Sequence, residues 1–253
     1  MKRDITFLKN KIIAHRGYYD NIEIPENSIK AFKKAIKYNL VIELDVHILK
    51  DNSIIVFHDN TLRRMTSTNK ALKNTTYNEI KDLCLKDTDE HIPLLSEVLK
   101  LINGKVPIII ELKNDVSGKV LADALIKELK DYRGVYALKS FNPLTMYYIK
   151  KHLPNAIRGQ LVSHYNKKKL SFFNRLIYSN TIFNVLTKPD FISYDIRCLP
   201  NKRIERMRKN KLILGWTVRN EKDMEKASKY CDSYICENIK EIKGEKKWTI
   251  QLN

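Results

Sequence analysis

The sequence predicts an α/β protein that folds as a TIM (β/α)8 barrel. Short apolar segments of strand length alternate with helical segments along the chain, and eight strands can be counted, which is the number that closes this barrel. The competing architecture is a doubly wound open sheet, which binds nucleotides through a glycine-rich first turn. It is disfavoured because the chain has neither a GxGxxG nor a GxxxxGK[ST] motif and contains only seven glycines.

Length and composition favour one domain over residues 1–253. A chain of 253 residues is normal for one such barrel, and 43% hydrophobic residues are enough for a substantial core. No long linker rich in proline, glycine or serine interrupts the sequence. We therefore expect a single domain with a short excursion between strands two and three.

The strands are predicted from alternation and from apolar runs. Residues 41–48 alternate, so that Glu43, Asp45 and His47 share one face. An apolar run such as 106–110 is typical of a strand buried on both faces. The eight predicted strands are 11–14, 41–49, 106–110, 135–141, 157–163, 191–196, 212–218 and 233–236, and 54–58 is expected to extend or pair with the second.

Helices are predicted where apolar residues recur at a spacing of three or four, as Ile29, Phe32 and Ala35 do. Residues 60–92 are polar and mixed, with one short helical stretch at 77–83, and we interpret them as the excursion. The predicted helices are 29–39, 93–102, 118–132, 143–152, 201–209 and 221–229.

The formal net charge of +18 indicates anionic partners, which include phosphate esters, anionic lipid surfaces and nucleic acid. Much of the excess consists of lysines scattered over predicted helices, which is typical of a solvent-facing helix surface. Residues 167–178 combine lysines with aromatic side chains. This segment fits either a fifth barrel helix with a basic outer face or a helix in peripheral contact with anionic lipid.

Targeting signals are not apparent. The N-terminus begins with basic residues but lacks the apolar stretch of a signal peptide, and no run of about 18 apolar residues could span a membrane. The four cysteines show neither CxxC nor zinc-type spacing, and scattered thiols of this kind suit a reducing compartment. We therefore expect a cytoplasmic protein.

Charged side chains and histidines lie at the predicted carboxyl ends of the strands, where TIM barrels carry their active sites. His15 and Arg16 follow the first strand, and His58 follows the extension of the second. The other candidates lie on strand two and directly after strand three: Glu43, Asp45, Glu111 and Lys113.

These residue types fit the hydrolysis of a phosphodiester. Three carboxylates without cysteine form an oxygen donor set, which suits Mg²⁺ or Ca²⁺ better than zinc. Two histidines can act as general base and general acid, while Arg16 and Lys113 can bind a phosphoryl group. A simpler interpretation of Glu111 is a buried ion pair with Lys113.

Several short motifs follow one another in order. They are His15-Arg16-Gly17, Pro25-Glu26-Asn27-Ser28, Glu43-x-Asp45-Val46-His47, Val56-Phe57-His58-Asp59, Ile92-Pro93-Leu94-Leu95-x-Glu97-Val98-Leu99, Ile110-Glu111-Leu112-Lys113, Ser140-Phe141 and Gly215-Trp216-Thr217-Val218. Together they resemble the ordered signature of the glycerophosphodiester phosphodiesterase family, over about residues 11–240.

The resemblance implies a metal-dependent hydrolase that cleaves glycerophosphodiesters to sn-glycerol 3-phosphate and an alcohol. His15 and His58 would form the acid/base pair. One divalent cation, Mg²⁺ or Ca²⁺, would be held by three carboxylates, namely Glu43, Asp45 and Glu111. Contacts with the phosphate or the substrate are implied for Arg16, Lys113, Glu26, Asn27 and Trp216.

Two features depart from the family pattern. The excursion, which can be a sizeable insertion in the family, is short and polar here. The family commonly ends strand eight with Thr-Asp-x-Pro, whereas this chain has Cys236-Glu237-Asn238 after Ile235. The role of this last corner therefore stays open.

Two other functions remain alternatives. A lysophospholipase D with the same barrel fold would use the same candidate site residues. A basic protein with a degenerate site that binds phospholipid or nucleic acid would explain the charge, but the presence of both histidines and all three carboxylates argues against it. Nucleic acid is therefore a disfavoured partner.

Overall fold

The computed structural model describes residues 3–113, 118–163 and 183–239. The chain divides into two compact units, one of residues 16–136 and one of residues 1–15 with 137–253. In chain order the strands are β1 Ile12–Ala14, β2 Val41–Ile48, β3 Ile54–Val56, β4 Ile108–Leu112, β5 Tyr136–Ser140, β6 Ile157–Val162, β7 Phe191–Asp195, β8 Leu212–Val218 and β9 Ser233–Cys236. The α-helices are α1 Ile29–Lys37, α2 Leu95–Ile102, α3 Val120–Glu128, α4 Pro143–His152, α5 Asn184–Thr187, α6 Lys202–Arg208 and α7 Glu221–Tyr230.

Strand β2 is the central strand of the unit of residues 16–136. It pairs in parallel with β4, which puts Asp45 opposite Glu111, and its end pairs antiparallel with β3. Residues 41–47 of β2 are all buried, as are all residues of β4. Strands buried on both faces are typical of parallel sheets covered by helices.

The excursion that follows β3 contributes most of a small hydrophobic core, which it shares with residues at and next to β3, whereas the sequence predicts a polar segment. It contains three 3₁₀ turns, Leu62–Arg64, Leu72–Asn74 and Tyr77–Glu79, the last of which replaces the helical stretch predicted at 77–83. Its apolar residues are irregularly spaced, so no periodicity marks them. The core cluster consists of Leu49, Ile55, Phe57, Leu62, Met65, Leu72, Ile80, Leu85 and Ile92.

The second unit contains a continuous series of parallel strands, paired in the order β1, β9, β8, β7, β6 and β5. A close approach between β6 and β7 depends on Gly159, because a Cβ atom there would lie 2.2 Å from the ring of Phe191. Across both units, strands and helices alternate as the sequence predicts for a TIM barrel, and β3 is an additional antiparallel strand.

The third parallel strand is displaced from its prediction. It runs from Ile108 to Leu112 rather than over 106–110. Pro107 has no N–H to donate, and its carbonyl accepts the N–H of Ile42 just before the ladder begins. The displacement places Glu111 on the strand itself, where its side chain direction is fixed by the sheet.

Among the residues that the structure describes, no helix is long and apolar enough to cross a bilayer. All four cysteines are free thiols, of which Cys231 and Cys236 are buried. The basic segment 167–178 lies outside the described residues, and the next α-helix that the structure describes is the short α5. A single domain over residues 1–253 stays a prediction.

Candidate active site

Three carboxylates form the centre of the site in the unit of residues 16–136. Glu43 and Asp45 lie two residues apart on β2, so they share a face, and Glu111 lies opposite Asp45 on β4. One oxygen from each can be chosen so that all three lie within 4.8 Å of one another. All three side chains are buried, with exposures of 0%, 1% and 5%.

This donor set fits a divalent cation. Three buried carboxylates at such short separations repel one another unless cations neutralise them. The ligands are oxygen atoms only, which favours a hard cation such as Mg²⁺ or Ca²⁺ over zinc. Two further carboxylates and three basic side chains are joined to this cluster by ion pairs: Glu26, Asp59, Arg16, Arg64 and Lys113.

Arg16 is held beside the carboxylates by a left-handed turn. Its φ angle is 54° and that of Gly17 is 83°, and its backbone N–H donates to Oε2 of Glu43 at 3.1 Å. Its Nε lies 3.3 Å from Oδ2 of Asp45, and its Nη1 donates to Glu26 at 2.7 Å. Burial lowers the pKa of Arg16, but the charges of the nearby carboxylates outweigh this effect and raise it overall.

Glu26 and Asn27 lie at the start of α1. The amide of Asn27 donates to Oδ2 of Asp45 at 3.1 Å, and its backbone N–H donates to the carbonyl of Arg16 at 2.9 Å. Ser28 caps the helix, because its hydroxyl accepts the N–H of Ala31. The helix start thus supports both Arg16 and Asp45.

Lys113 contacts two of the three carboxylates. Its ammonium lies 2.9 Å from Oδ1 of Asp45 and 2.8 Å from Oε1 of Glu111. Burial alone would lower the pKa of Lys113. The charges of the two carboxylates outweigh this effect, so the pKa is raised overall. The ion pair considered for Glu111 is therefore present, as part of a larger cluster.

His58 is held at its ring and at its backbone. Its Nδ1 lies 2.6 Å from Oδ1 of Asp59, and its carbonyl accepts a hydrogen bond of 3.1 Å from Nε2 of His47. Burial lowers the pKa of His47 to about 4, so this ring is neutral near pH 7. His47 shares the carboxylate face of β2 and has a structural contact with His58.

His15 belongs to the other unit and directly precedes Arg16 in sequence. Its backbone N–H donates to the carbonyl of Cys236 at 3.1 Å, and its Nδ1 lies 2.7 Å from Oε1 of Glu237. The second oxygen of Glu237 lies 2.8 Å from Nε of Arg219. Each candidate histidine therefore has a carboxylate on Nδ1, and an arginine contacts that carboxylate.

Trp216 is half-buried on β8. Its ring meets that of Phe141 edge-on at 5.8 Å between centroids. Within the described part of the chain, its indole nitrogen has no hydrogen-bond partner. It is therefore a donor that a ligand could use.

A family model described as the glycerophosphoryl diester phosphodiesterase family matches residues 15–236, which is most of the chain. The chain belongs to this family. As a member of this glycerophosphoryl diester phosphodiesterase family, the protein is an enzyme, and it is a hydrolase.

Curated relatives agree with the family. A glycerophosphodiester phosphodiesterase of Caldanaerobacter subterraneus is 38% identical over 168 residues, which cover 61% of this chain and 67% of that protein. One from Bacillus altitudinis is 40% identical over 115 residues, 42% of this chain and 46% of the relative. A lysophospholipase D of Rattus norvegicus is 33% identical over 140 residues, 50% of this chain and 43% of the relative. The chain thus spans about half the length of the last two.

Solved structures of the family share the fold. A phosphodiesterase of Oleispira antarctica, in complex with the product sn-glycerol-3-phosphate, has a TM-score of 0.76 at 21% identity, covering 91% of this chain and 94% of its own. A glycerophosphodiester phosphodiesterase of Parabacteroides distasonis has a TM-score of 0.73 at 23% identity. This match covers 90% of the present chain and 93% of the other. The predicted TIM (β/α)8 barrel is confirmed.

In this family member, the groups that bind the two histidines were not among the residues predicted from the sequence. Asp59 adjoins His58 in a family motif, which was a usable signal. Glu237 supplies a carboxylate at the strand-eight corner, where the family pattern appeared to be broken. Arg64 and Arg219 had no sequence signal, because an arginine that contacts a distant carboxylate looks like any surface cation.

Proposed function

We propose that the protein is a metal-dependent phosphodiesterase that hydrolyses glycerophosphodiesters to sn-glycerol 3-phosphate and an alcohol. The observation that carries this proposal is the buried cluster in which Arg16 and Lys113 both contact Asp45 beside two further carboxylates. It combines a cation site with two positive side chains, and a phosphodiester needs both. The product-bound Oleispira antarctica neighbour supports the choice of substrate.

Glu43, Asp45 and Glu111 would hold the divalent cation, Mg²⁺ or Ca²⁺. When bound, the cation would stabilise negative charge that develops on the phosphoryl oxygens. Arg16 would bind the phosphate through its guanidinium, which Glu26 and Asn27 keep in place, and Lys113 would add a second positive charge. Trp216 would contact the glycerol part of the substrate.

His15 and His58 would transfer protons. A carboxylate beside Nδ1 accepts a hydrogen bond from the N–H of that nitrogen, so the neutral ring keeps its proton on Nδ1 and has its lone pair on Nε2. One histidine would accept a proton from water or from a substrate hydroxyl at this nitrogen. The other would donate a proton to the leaving alcohol.

A phosphorus NMR time course tests this function. The purified protein is incubated with glycerophosphocholine and either Mg²⁺, Ca²⁺ or a chelator, with Glu43→Gln as the matched inactive variant. We expect sn-glycerol 3-phosphate to appear with a cation and to be absent with the chelator or in the variant. Equal turnover with and without chelator would contradict the metal-dependent mechanism.

A lysophospholipase D is the second candidate, supported by the Rattus norvegicus relative of that name. It would use the same residues on a lysophospholipid. Adding lysophosphatidylcholine to the same NMR tube distinguishes the two functions by competition. Selective loss of the lysolipid would favour this alternative over the glycerophosphodiester.

A cytoplasmic location is part of the proposal, supported by four free thiols, of which Cys84 is exposed. Fractionation of cells that express the protein tests it. Recovery with the membranes, released by high salt, would instead indicate peripheral contact with anionic lipid.

A further inference from the structure

Arg64 joins the surroundings of two proposed functional residues. It lies in the 3₁₀ turn Leu62–Arg64 of the excursion, six residues after His58. Its Nε donates to Oδ2 of Asp59 at 2.5 Å. Its two terminal nitrogens donate to both oxygens of Glu26, Nη2 at 2.6 Å and Nη1 at 3.0 Å.

Each of these carboxylates has a second partner in the site. Asp59 uses its other oxygen for Nδ1 of His58, at 2.6 Å. Glu26 accepts from Nη1 of Arg16 at 2.7 Å, on the same oxygen that accepts from Arg64. A single planar guanidinium therefore connects a proposed proton-transfer group with a proposed phosphate-binding group.

We propose that Arg64 is a positioning residue, which orients the His58 imidazole through Asp59 and the Arg16 guanidinium through Glu26. This inference rests on the proposed function and adds a residue to it. Because one side chain supports both groups, its loss is expected to lower kcat through His58 and to raise KM through Arg16.

The geometry requires arginine at this position. A guanidinium presents several donors in a fixed plane, so it can bind Asp59 and both oxygens of Glu26 at once. A lysine ammonium would keep the charge, but as a point charge on a flexible stem it cannot reproduce this pattern. Burial raises the pKa of Asp59, but the bonds from His58 and Arg64 outweigh this effect and hold it well below its usual range.

The adjacent Arg63 provides a matched control. It belongs to the same turn, carries the same charge and is exposed. Arg64 itself is 42% exposed at its side chain, and its Nη1 also lies 3.2 Å from Sδ of Met65. A difference between Arg63→Ala and Arg64→Ala therefore reports the contacts of Arg64 rather than the loss of one positive charge.

Steady-state kinetics on glycerophosphocholine form the first test. We expect Arg64→Ala and Arg64→Lys to lower kcat/KM about 10- to 100-fold, as is usual for residues that orient a functional group, with Arg63→Ala unchanged. Millimolar guanidinium ion should restore part of the Arg64→Ala activity, which a folding defect would not allow. An Arg64→Ala variant as active as Arg63→Ala would overturn the proposal, as would a loss that guanidinium cannot restore.

Energetic coupling between Arg64 and Asp59 forms the second test. In an Asp59→Asn background, Arg64→Ala should lower kcat less than it does in the wild type, because the route through Asp59 is already lost. If the effects of Asp59→Asn and Arg64→Ala on kcat were fully additive, Arg64 would not act on His58 through Asp59.

Nitrogen NMR of His58, assigned with His58→Gln, reads the ring tautomer without any turnover. We expect the proton on Nδ1 in the wild type and a mixed population in Arg64→Ala, and an unchanged tautomer would overturn the proposal. If the wild type released no product, the proposed function would fail, while this measurement would still decide the role of Arg64.

Discussion

Glu237 binds His15 through a carboxylate–imidazole contact of 2.7 Å, from Oε1 to Nδ1. Arg219 holds the other oxygen of Glu237 at 2.8 Å. His58 has the same order of contacts, from histidine to carboxylate to arginine, through Asp59 and Arg64. The strand-eight corner that departs from the family motif in sequence therefore still supplies a carboxylate to a proposed catalytic histidine.

Replacing Glu237 by glutamine should lower kcat about tenfold or more and change KM little. The amide can still accept from Nδ1, but it no longer stabilises positive charge on the His15 ring. Glu225→Gln is the matched control, since Glu225 is an exposed partner of Lys229 in the same unit. Steady-state kinetics measure the effect, and wild-type kcat in Glu237→Gln would contradict a supporting role for this contact.

Replacing Glu43 by glutamine should abolish stabilisation by divalent cations. Thermal unfolding of the wild type should shift upward with added Mg²⁺ or Ca²⁺, because a ligand that binds only the folded state stabilises it. With a chelator present, Glu43→Gln should be at least as stable as the wild type, since one charge is removed from three close carboxylates.

The control for this metal test is Glu23→Gln, in an exposed residue of the same unit, which should keep the full shift. A Glu43→Gln variant with the wild-type shift would show that the cation binds elsewhere.

Replacing Gly17 by alanine should destabilise the protein more than the same change at Gly104. Both glycines have positive φ angles, 83° and 73°, so each alanine costs about 1–3 kcal/mol in backbone strain. At Gly17 the new Cβ would also lie 2.9 Å from the Cβ of Ala31, whereas at Gly104 the nearest atom is 3.4 Å away.

The overlap at Gly17 should add about 1–3 kcal/mol to the loss in free energy of unfolding, measured by denaturant titration. Equal losses for the two variants would mean that α1 moves to accept the methyl group.

Stability should fall at alkaline pH partly because of Cys231. Burial raises the pKa of this thiol to about 12 from an ordinary value of 9.0. Above pH 9 the unfolded chain releases this proton and the folded chain retains it, so the contribution is complete below pH 9 and is lost as the pH rises towards 12. The loss amounts to about 1.4 kcal/mol per pH unit within this window.

The measurement compares the free energy of unfolding of the wild type and Cys231→Ala at pH 7.5 and pH 10. The variant should be less stable at pH 7.5, since it leaves a small cavity, but its decline with pH should be shallower. Parallel declines would show that the thiol of Cys231 titrates normally in the folded protein.

Much of the fold could be read from local patterns. Strands β8 and β9 and helix α4 have the predicted bounds, because alternation, apolar runs and a proline at the start of a helix are local signals. The shift of β4 could not be read in this way, since it depends on the missing N–H of Pro107 and on pairing with β2. The core of the excursion had no periodic signal at all.

The sequence by itself determined the alternation of strands and helices, the family, and the residue types of the candidate site, because periodicity and short motifs are properties of neighbouring residues. Only the tertiary structure decided which groups touch. The contacts of Glu237 with His15 and of Arg64 with Glu26 join residues 222 and 38 positions apart. Such contacts arise from strand register and chain packing, so no local pattern in the sequence encodes them.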